Sequence, residues 1–476
     1  MTNFTLIFIV FVLWNAAITL RSSGLWKTST SLTSTDAAEL AKWKTLLRKY
    51  LPVYLLATLS DWLQGPYVYA LYADYGYSQH SIAILFVAGF GSSMIFGSFI
   101  GGMADWGGRR AFVVIFALVY AASCFTKHFK SFYILMLGRL LGGVATSLLF
   151  SVFDAWLIRA HSDAQLKQYL GKSFSWAVFG NSLVAIMAGL LANKAASATM
   201  PMVGFREGVF IGGYLTPFDL ALAALVGCGF LAATTWEENY GDTDSAKEGG
   251  EVTGKAQWHD GLKNALTTTI RSTDILLCGI ISSLFEGSMY VFVFMWTPAL
   301  TSGDDEDTEL PFGLIFSTFM VCCMAGSSIY SILSEKIKGE QLGVLCFAVA
   351  SVSMALVAIS PSNTLKFLAM NVFEMTVGMY WPIMGTMKGS IVPESMRAAI
   401  YNLYRIPLNF IVLFSLLTDL TPTTSFCLNA TMLATAAVLQ IVLMKRRELH
   451  LGASHQASPQ SELEDARPLV AKDESV

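Results

Sequence analysis

Five ionisable side chains interrupt long apolar stretches of this sequence. Two are arginines, Arg139 and Arg405, and three are acids, Asp61, Glu286 and Glu374. A guanidinium presents a planar fork of N–H donors that suits oxyanions, and it keeps its charge at any biological pH. A carboxylate in apolar surroundings either carries a proton or neutralises a nearby cation. The five residues therefore predict anion binding, charge pairing or proton transfer.

The composition indicates what kind of protein must hold these charges. Of the 476 residues, 54% are hydrophobic and only 14% are charged, whereas a soluble domain usually carries about 25% charge. Apolar stretches of about 20 residues recur along the chain, which predicts an all-α polytopic membrane protein. The sequence shows no nucleotide-binding loop, Ser–His–Asp pattern or paired metal-ligand motif. We therefore expect no enzyme activity, no metal site, no cofactor and no nucleic-acid partner.

Twelve membrane spans are predicted, six on each side of a polar segment. They lie at 50–74, 80–103, 111–128, 131–158, 170–194, 209–234, 273–300, 311–333, 341–360, 364–388, 398–418 and 422–444. The pattern gives an N-terminal half at 50–234, a central loop at 235–272 and a C-terminal half at 273–444. Residues 1–49 precede the first half, and residues 445–476 form a polar tail that we expect to be disordered.

The placement of lysine and arginine predicts the orientation. Basic residues gather in alternate loops, before the first span and after the last, so these segments should face the cytoplasm. An additional apolar stretch, residues 4–20, is followed rather than preceded by basic residues. This order favours a retained extra helix with its N-terminus outside, and a signal peptide is the alternative.

A compact motif, "GGMADWGGRR" at 101–110, links the second and third spans. Its glycines let two helix ends approach closely. Asp105 can accept hydrogen bonds from a neighbouring helix end, and Arg109 and Arg110 can pair with acids on adjoining helices, with Asp154 as a candidate. We interpret these four residues as a cytoplasmic latch between conformational states. The alternative is that the arginines only fix the topology.

This motif, G-x-x-x-D-x-x-G-R-R, resembles the loop signature of the major facilitator superfamily. Longer segments are similar to the eukaryotic molybdate-anion transporter family within it: "DWLQGPYVYALY", "GRLLGGVATSLLFSVFDAW", "LFEGSMYVFVFMWTPAL", "YWPIMGTMKGSIVPE" and "NLYRIPLN". The resemblance covers residues 40–447. It implies a major facilitator fold with two six-helix halves and uptake of molybdate by alternating access.

The resemblance also implies a cavity between the halves near the membrane midplane. Depth along each helix places the five ionisable residues there, about 12–18 Å from a span end. Arg139 and Arg405 are then candidate ligands from opposite halves. Neutral donors beside them would be Asn402, Asn409, Gln64, Tyr69 and Tyr72. Asp61, Glu286 and Glu374 would couple protons or pair with the arginines. A faint repeat between the halves aligns Asp61 with Glu286.

Two other functions remain compatible with the residues. One is a proton-coupled carrier of another small anion or organic solute, and the other is a receptor or scaffold that does not transport. We expect the plasma membrane as the location. A vacuolar or other internal membrane is the alternative, because "DARPLV" at 465–470 resembles an acidic dileucine sorting signal.

Overall fold

The computed structural model describes residues 4–22, 34–97, 99–198, 202–206, 208–240, 266–301, 310–393 and 397–457. An N-terminal helix, α1 (Phe4–Ser22), precedes the first half. That half contains α2 (Ser34–Gln64), α3 (Val68–Asp74), α4 (Gln79–Gly97), α5 (Ile100–Gly107), α6 (Arg109–Thr126), α7 (Phe132–Leu149), α8 (Val152–Asp163), α9 (Leu170–Ala198) and α10 (Thr216–Thr235). The second half contains α11 (Thr273–Thr301), α12 (Phe312–Leu333), α13 (Gly339–Ile359), α14 (Asn363–Ile391), α15 (Arg397–Leu417) and α16 (Pro422–Ala457).

The predicted all-α fold with two six-helix halves and an extra N-terminal helix is confirmed. Three predicted spans are each divided into two helices. The first becomes α2 and α3, the second α4 and α5, and the fourth α7 and α8. Each division lets the chain change direction within the bundle, because a break in the backbone ladder frees the following helix from the axis of the first.

Two predicted boundaries are wrong. The sixth span does not begin at residue 209, because Val209–Ile211 pairs antiparallel with Val203–Arg206 in a short hairpin. Gly208 turns this hairpin with φ of 77°, a conformation that L side chains rarely adopt.

The tail does not lose its structure at 445, because α16 continues to Ala457. Residues 458–476, also predicted to be disordered, lie outside the described residues.

The continuation of α16 has an electrostatic cause. Arg446 donates from Nε to Asp274 at 3.1 Å, at the start of α11. Arg447 pairs with Glu340, in the first turn of α13, at 3.2 Å. Both acids lie at helix N-termini, where the helix dipole also favours negative charge. These contacts hold the basic end of α16 in helical register beyond its apolar stretch.

Most of the helices can lie in a bilayer. Within the described ranges, nine helical segments are long and apolar enough to cross a membrane. The helices α2, α14 and α15 are not among these nine, and they are the ones that carry Asp61, Glu374 and Arg405. The other two internal charges, Arg139 and Glu286, lie on segments that are among the nine. The chain is therefore a multi-pass membrane protein.

The extra helix α1 packs on the C-terminal half, although it precedes the N-terminal half in the chain. Its main neighbour is α12. Phe4 packs edge-on against Phe367 of α14 at 5.1 Å, and Asn15 donates to the Met324 sulfur at 3.1 Å. The start of α1 thus lies at the same end of the bundle as the start of α14, which is the predicted outer end.

The two halves meet at that end through several contacts. Gln79, at the start of α4, donates to the Leu420 carbonyl at 3.1 Å. His80 Nδ1 lies 2.8 Å from Asp419 Oδ1. Among the described residues, this is the only ion pair that joins the two halves. Deeper in the bundle, Ser317 of α12 donates to the Ile186 carbonyl of α9 at 2.9 Å.

The first residues of the central loop are fixed to the N-terminal half by aromatic stacking. Trp236 and Trp156 stack with ring centroids 3.9 Å apart. The Tyr50 ring stacks on both, with centroid distances of 6.3 Å to Trp156 and 5.8 Å to Trp236. All three residues are buried. The indole of Trp236 also donates to the Lys49 carbonyl at 2.9 Å, so the root of the loop is part of this half.

At the predicted outer end, His128 fastens the hairpin to the helices. Its Nδ1 lies 3.0 Å from the Phe210 carbonyl, and its Nε2 lies 3.0 Å from Asp219 Oδ1 of α10. Two acceptors on one imidazole favour the doubly protonated cation. The hydrogen bond to Asp219 is the main cause that raises the pKa of His128 above its ordinary value.

We predict that this contact stabilises the protein more at low pH than at high pH. The pKa of His128 is raised in the folded state, so its contribution is complete below the unfolded value of about 6.5 and is lost as pH rises through the folded value. The difference in melting temperature between wild type and His128→Gln should therefore shrink with rising pH. The difference in melting temperature between wild type and Asp219→Asn should also shrink with rising pH. A constant difference from acid to alkaline pH would contradict the assignment.

Candidate functional site

In the N-terminal half, Asp61 lies beside a tyrosine and an arginine. Tyr120 of α6 donates to Asp61 Oδ1 at 2.5 Å. Arg139 of α7 is close enough for its charge to act on Asp61. The Arg139 guanidinium donates to the Leu85 carbonyl at 3.1 Å. The structure thus brings together the acid of the first span and the arginine of the fourth, as charge neutralisation in an apolar bundle requires.

Gly89 of α4 leaves the space that Arg139 needs. A β-carbon at this position would lie 2.6 Å from a terminal nitrogen of the Arg139 guanidinium. The same guanidinium lies over the Phe86 ring, 4.7 Å from its centroid, in a cation–π contact. The Leu85 carbonyl and the Phe86 ring therefore hold the Arg139 side chain against α4.

In the C-terminal half, Glu286 binds a lysine and a tyrosine through one oxygen. Lys388 Nζ of α14 lies 2.9 Å from Glu286 Oε1. Tyr380, about two turns earlier on α14, donates to the same oxygen at 2.7 Å. The Tyr380 ring stacks on Phe285 at 4.2 Å with an interplanar angle of 3°. This stacking fixes the direction of the Tyr380 hydroxyl. Glu286 therefore accepts from a rigid donor, Tyr380, and pairs with the cation of a flexible side chain, Lys388.

Arg405 lies on α15 where the two halves meet. A β-carbon on Gly97 of α4 would lie 3.8 Å from Arg405 Nη1. Its side chain is exposed, and among the described residues no ion pair neutralises it. The nearby Asn409 donates to the Met94 sulfur of α4. The Asn402 side chain lies outside the described residues. An accessible, unneutralised guanidinium between the halves is what a transported anion would require.

The neutral donors predicted on the first span have other surroundings. Gln64 donates to the Ser60 carbonyl of its own helix at 3.0 Å. Tyr69 packs edge-on against Phe294 of α11 at 5.6 Å and so lies between the halves. The Tyr72 side chain is fully buried, and its hydroxyl has no hydrogen-bond partner among the described residues. Of the three, Tyr69 is the one that the structure places at the interface of the halves.

Glu374, predicted to couple protons or to pair with the arginines, shows no contact with either arginine among the described residues. It is buried on α14 and lies near Cys322 and Cys323 of α12. Among the described residues no ion pair links it to a cation. Its depth along the helix was predicted from residue counting, but depth does not specify which face of the helix carries the residue.

A pocket in the N-terminal half opens beside Asp61. It is lined by Tyr54, Thr58, Asp61, Trp62, Leu149, Phe150, Asp154 and Asn181. Trp62 donates to Asn181 at 2.8 Å across this pocket. Asp154 therefore belongs to the pocket wall. Among the described residues it forms no ion pair with Arg109 or Arg110, and its place in the latch stays a prediction.

The two arginines of the predicted latch, Arg109 and Arg110, pair with acids other than Asp154. Arg109 binds Asp105, one turn earlier in the chain, at 2.7 Å, and donates to the Ala155 carbonyl at 3.2 Å. Glu238 caps the start of α6, because it accepts from the backbone nitrogens of Arg110 and Ala111 at 2.7 and 3.1 Å. The Arg110 guanidinium lies 3.6 Å from the same carboxylate. Glu238 is thus the acid that the sequence analysis missed.

Gly108 makes this cap possible. Its φ is 97°, and a β-carbon would lie 2.7 Å from the Glu238 carboxyl carbon. Both the conformation and the space therefore require glycine. Glu238 lies in the polar central segment, about 130 residues further along the chain, so helix-capping patterns within the motif give no signal for it.

Comparisons with known proteins agree with this geometry. A family model described as sugar transporters with 12 TM matches residues 8–376. A molybdate-anion transporter of Xenopus tropicalis is 34% identical over 84% of this chain and 86% of its own length. One from Takifugu rubripes is 32% identical over 77% of this chain and 78% of its own length. The chain belongs to the molybdate-anion transporter family of the major facilitator superfamily.

Solved structures place this family member among transporters of the same fold. The nucleoside transporter NupG aligns with a TM-score of 0.61 at 12% identity, over 84% of this chain and 98% of NupG. A D-xylose–proton symporter aligns with a TM-score of 0.60 at 14% identity, over 83% and 96% of the two chains. The shared feature is the fold, since the identity is too low to compare sites.

In this molybdate-anion transporter family member, two basic residues were missed as site candidates. Lys388, the last residue of the predicted span 364–388, binds Glu286 inside the bundle. Lys127, at the end of α6, is only 1% exposed and lies 6.0 Å from the Tyr72 ring centroid. Both follow an apolar run directly, so their position in the sequence resembles that of a boundary residue. Only the packing shows that they point inward.

We predict that the Glu238 cap stabilises the fold by an amount typical of helix capping. Glu238→Ala removes the acceptor for two backbone N–H groups and should cost about 1–2 kcal/mol. Glu238→Gln keeps an acceptor oxygen and should cost less. The measurement is chemical or thermal unfolding of the purified protein in detergent.

Glu237→Ala is the matched control. The Glu237 side chain is 86% exposed in its pair with Lys49, whereas that of Glu238 is 20% exposed. Exposed ion pairs contribute little, so this variant should change the stability by less than about 0.5 kcal/mol. Equal losses for the two alanine variants would refute the capping role.

Proposed function

We propose that this chain is a membrane transporter that takes up molybdate by alternating access, with the anion bound between the two halves. The observation that carries the proposal is Arg405, an exposed guanidinium at the contact of α4 and α15. Relatives named molybdate-anion transporters support the choice of substrate. The plasma membrane is the proposed location, with uptake directed into the cytoplasm.

Arg405 and Arg139 would bind the anion from opposite halves. Molybdate is a tetrahedral dianion, so two guanidinium forks can each donate two hydrogen bonds to it. Arg139 already has one donor on the Leu85 carbonyl, whereas Arg405 is free to reorient. We therefore assign Arg405 as the primary ligand and Arg139 as the residue that draws the N-terminal half toward the bound anion.

The contacts between the halves support an assignment of the conformation. Gln79 and His80 meet Leu420 and Asp419 at the predicted outer end. With the membrane orientation predicted from the basic residues, this arrangement is closed toward the outside. Uptake would require these contacts to separate and the opposite end to close.

Asp105 and Arg109 are the proposed latch for that exchange. Their ion pair links α5 to α6, and the Arg109 guanidinium reaches the Ala155 carbonyl of α8. One side chain therefore joins three helices of the N-terminal half. Releasing it would let these helices move relative to one another when the halves rock.

The decisive test of the function is uptake of radiolabelled molybdate into vesicles that contain the purified protein. Sulfate, phosphate and tungstate should be added as competitors. Saturable uptake with tungstate as the strongest competitor supports molybdate transport, because tungstate has the most similar size and charge. Competition led by sulfate or phosphate would favour another anion, and no uptake of any oxyanion would favour a receptor or scaffold.

We predict that Arg405→Lys weakens molybdate uptake about tenfold and that Arg405→Ala weakens it about 100-fold. Lysine keeps the charge but replaces a forked contact with a point contact, and alanine removes the cation. Initial uptake rates should be compared at equal amounts of reconstituted protein. Arg159→Ala, which breaks an exposed pair with Asp163 on α8, is the control for loss of an arginine. Wild-type binding of molybdate by Arg405→Ala would exclude Arg405 as a ligand.

We also predict that Asp105→Asn slows uptake several-fold while surface expression and molybdate affinity stay at wild-type levels. The substitution removes the charge that holds Arg109 and leaves the helix composition nearly unchanged. Asp163→Asn is a matched control, since it breaks another aspartate–arginine pair with the same spacing. If the two variants transport at equal rates, Asp105 and Arg109 serve the topology rather than the motion.

A further inference from the structure

Five side chains of the C-terminal half form a group that we name the cation cluster: Glu286, Tyr290, Lys388, Tyr401 and Arg405. Lys388 lies 2.9 Å from Glu286 and 5.8 Å from the centroid of the Tyr401 ring. Tyr401 precedes Arg405 by one helical turn, so the two share a face of α15. Tyr290 follows Glu286 by one turn on α11 and lies within range of the charges of both Glu286 and Arg405.

The cation cluster lies against the other half of the protein. Tyr290 packs edge-on against Phe90 of α4 at 4.9 Å. A β-carbon on Gly97 of the same helix would lie 3.8 Å from Arg405 Nη1. The side chains of Lys388 and Glu286 are 18% and 19% exposed, so neither is sealed in the core. An anion bound by Arg405 is therefore next to a second cation that is already paired with an acid.

The charges of the cluster do not balance a dianion while that acid is ionised. Lys388 and Glu286 neutralise each other, and the charge of Arg139 is offset by Asp61, on which it acts. Arg405 therefore supplies the one uncompensated positive charge to an anion that carries two negative ones. Protonation of Glu286 frees the charge of Lys388, and two cations then match the dianion. Net charge inside a membrane is costly, so the neutral combination is strongly favoured.

We propose that Lys388 is a second ligand of the oxyanion and that protonation of Glu286 releases it, so that one proton enters the site with each dianion. This inference rests on the proposed function. In the step, a proton from solution adds to the Glu286 carboxylate and an O–H bond forms. The ammonium–carboxylate pair separates, and the ammonium turns to the anion oxygens. No bond to the transported anion is made or broken.

The contacts of Glu286 suit this exchange. Lys388 and Tyr380 both use Oε1, and Oε2 has no hydrogen bond or ion pair among the described residues. A proton can therefore add at Oε2 without displacing Tyr380. The Tyr380 hydroxyl, fixed by the Phe285 stack, keeps the neutral acid in place while Lys388 leaves.

Several other groups act on Glu286 or on its partners from the helices that surround it. On α11 itself these are Tyr290 and Cys278, on α14 Tyr380 and Lys388, and on α15 Tyr401 and Arg405. From α16, the charge of Arg447 acts on Cys278. From α3, Tyr69 packs against Phe294, which lies on α11 two turns beyond Glu286. Lys388 is the cation that these contacts place directly on the acid.

The test measures molybdate binding to the full-length protein in detergent, with the proton taken up per anion recorded in weakly buffered solution. Wild type should bind more tightly as pH falls from about 8.5 to about 6 and should take up close to one proton per anion. Glu286→Gln mimics the protonated acid. It should bind molybdate with little pH dependence and without proton uptake, at an affinity no lower than that of wild type at high pH.

Lys388 is tested by the double variant Glu286→Gln/Lys388→Gln. It leaves no unpaired buried charge, so it should fold even if Lys388→Gln alone does not. Compared with Glu286→Gln, it should bind molybdate about 10- to 100-fold more weakly, the loss expected for one charge-assisted contact. Lys366→Gln is the matched control on the same helix, because Lys366 donates to the Ala299 carbonyl and forms no ion pair with an acid in the described part of the chain. It should behave as wild type.

The outcomes separate this inference from the proposed function. If wild type binds molybdate but takes up no proton, or if Glu286→Gln keeps the wild-type pH dependence, Glu286 does not control the site. If the double variant binds as tightly as Glu286→Gln, Lys388 is not a ligand. Either result overturns the inference and leaves oxyanion binding intact. If wild type binds neither molybdate nor tungstate nor sulfate at any pH, the proposed function itself fails.

Discussion

The cost of a charge in an apolar bundle governs the arrangement of this protein. An ionised side chain without a partner is expensive inside a membrane, and most of the internal charges have one. Asp61 has Tyr120 and the field of Arg139, and Glu286 has Lys388 and Tyr380. Glu374, Lys127 and Arg405 have no oppositely charged partner among the described residues, and of these three only Arg405 is exposed. An exposed, unneutralised cation at the junction of the halves suits the anion that we propose binds there.

The internal acids of the two halves, Asp61 and Glu286, have similar hydrogen-bond partners. In each half, the first long helix carries an acid, Asp61 near the end of α2 and Glu286 near the middle of α11. A tyrosine from another helix donates to each acid, at 2.5 Å for Asp61 and 2.7 Å for Glu286. The tyrosines come from different positions, α6 in one half and α14 in the other. The cations differ more, since Arg139 is held by a carbonyl and a ring while Lys388 binds its acid directly. Both halves therefore join an acid to a tyrosine, and they differ in the cations near that acid.

The sequence predicted the helices well, because apolar length is a property of the chain itself. The depth of Asp61, Glu286 and Arg405, which follows from the helical rise, stays a prediction. The sequence failed where the answer depends on which face a helix presents. Among the described residues Glu374 has no ion pair with a cation, and Lys388, the last residue of a predicted span, reaches Glu286 inside the bundle with its long side chain.

Longer separations along the chain hid other contacts. Glu238 caps α6 from the polar central segment, and no local pattern connects the two. The hairpin before α10 was mistaken for helix because Val209–Ile211 is apolar, although Gly208 beside it was a readable turn signal. In each case, the missing information was tertiary.

The position of α1 changes how the halves are joined. By chain order it belongs to the N-terminal half, but it packs on α12 of the C-terminal half. The covalent chain therefore crosses between the halves twice, once through the central loop and once through the eleven residues between Ser22 and Ser34. Fully extended, that second connection spans at most about 40 Å, which sets an upper limit on how far the start of α2 can swing from α12. A chain cut in its central loop would still hold its two pieces together, because the first piece carries a helix that is built into the second.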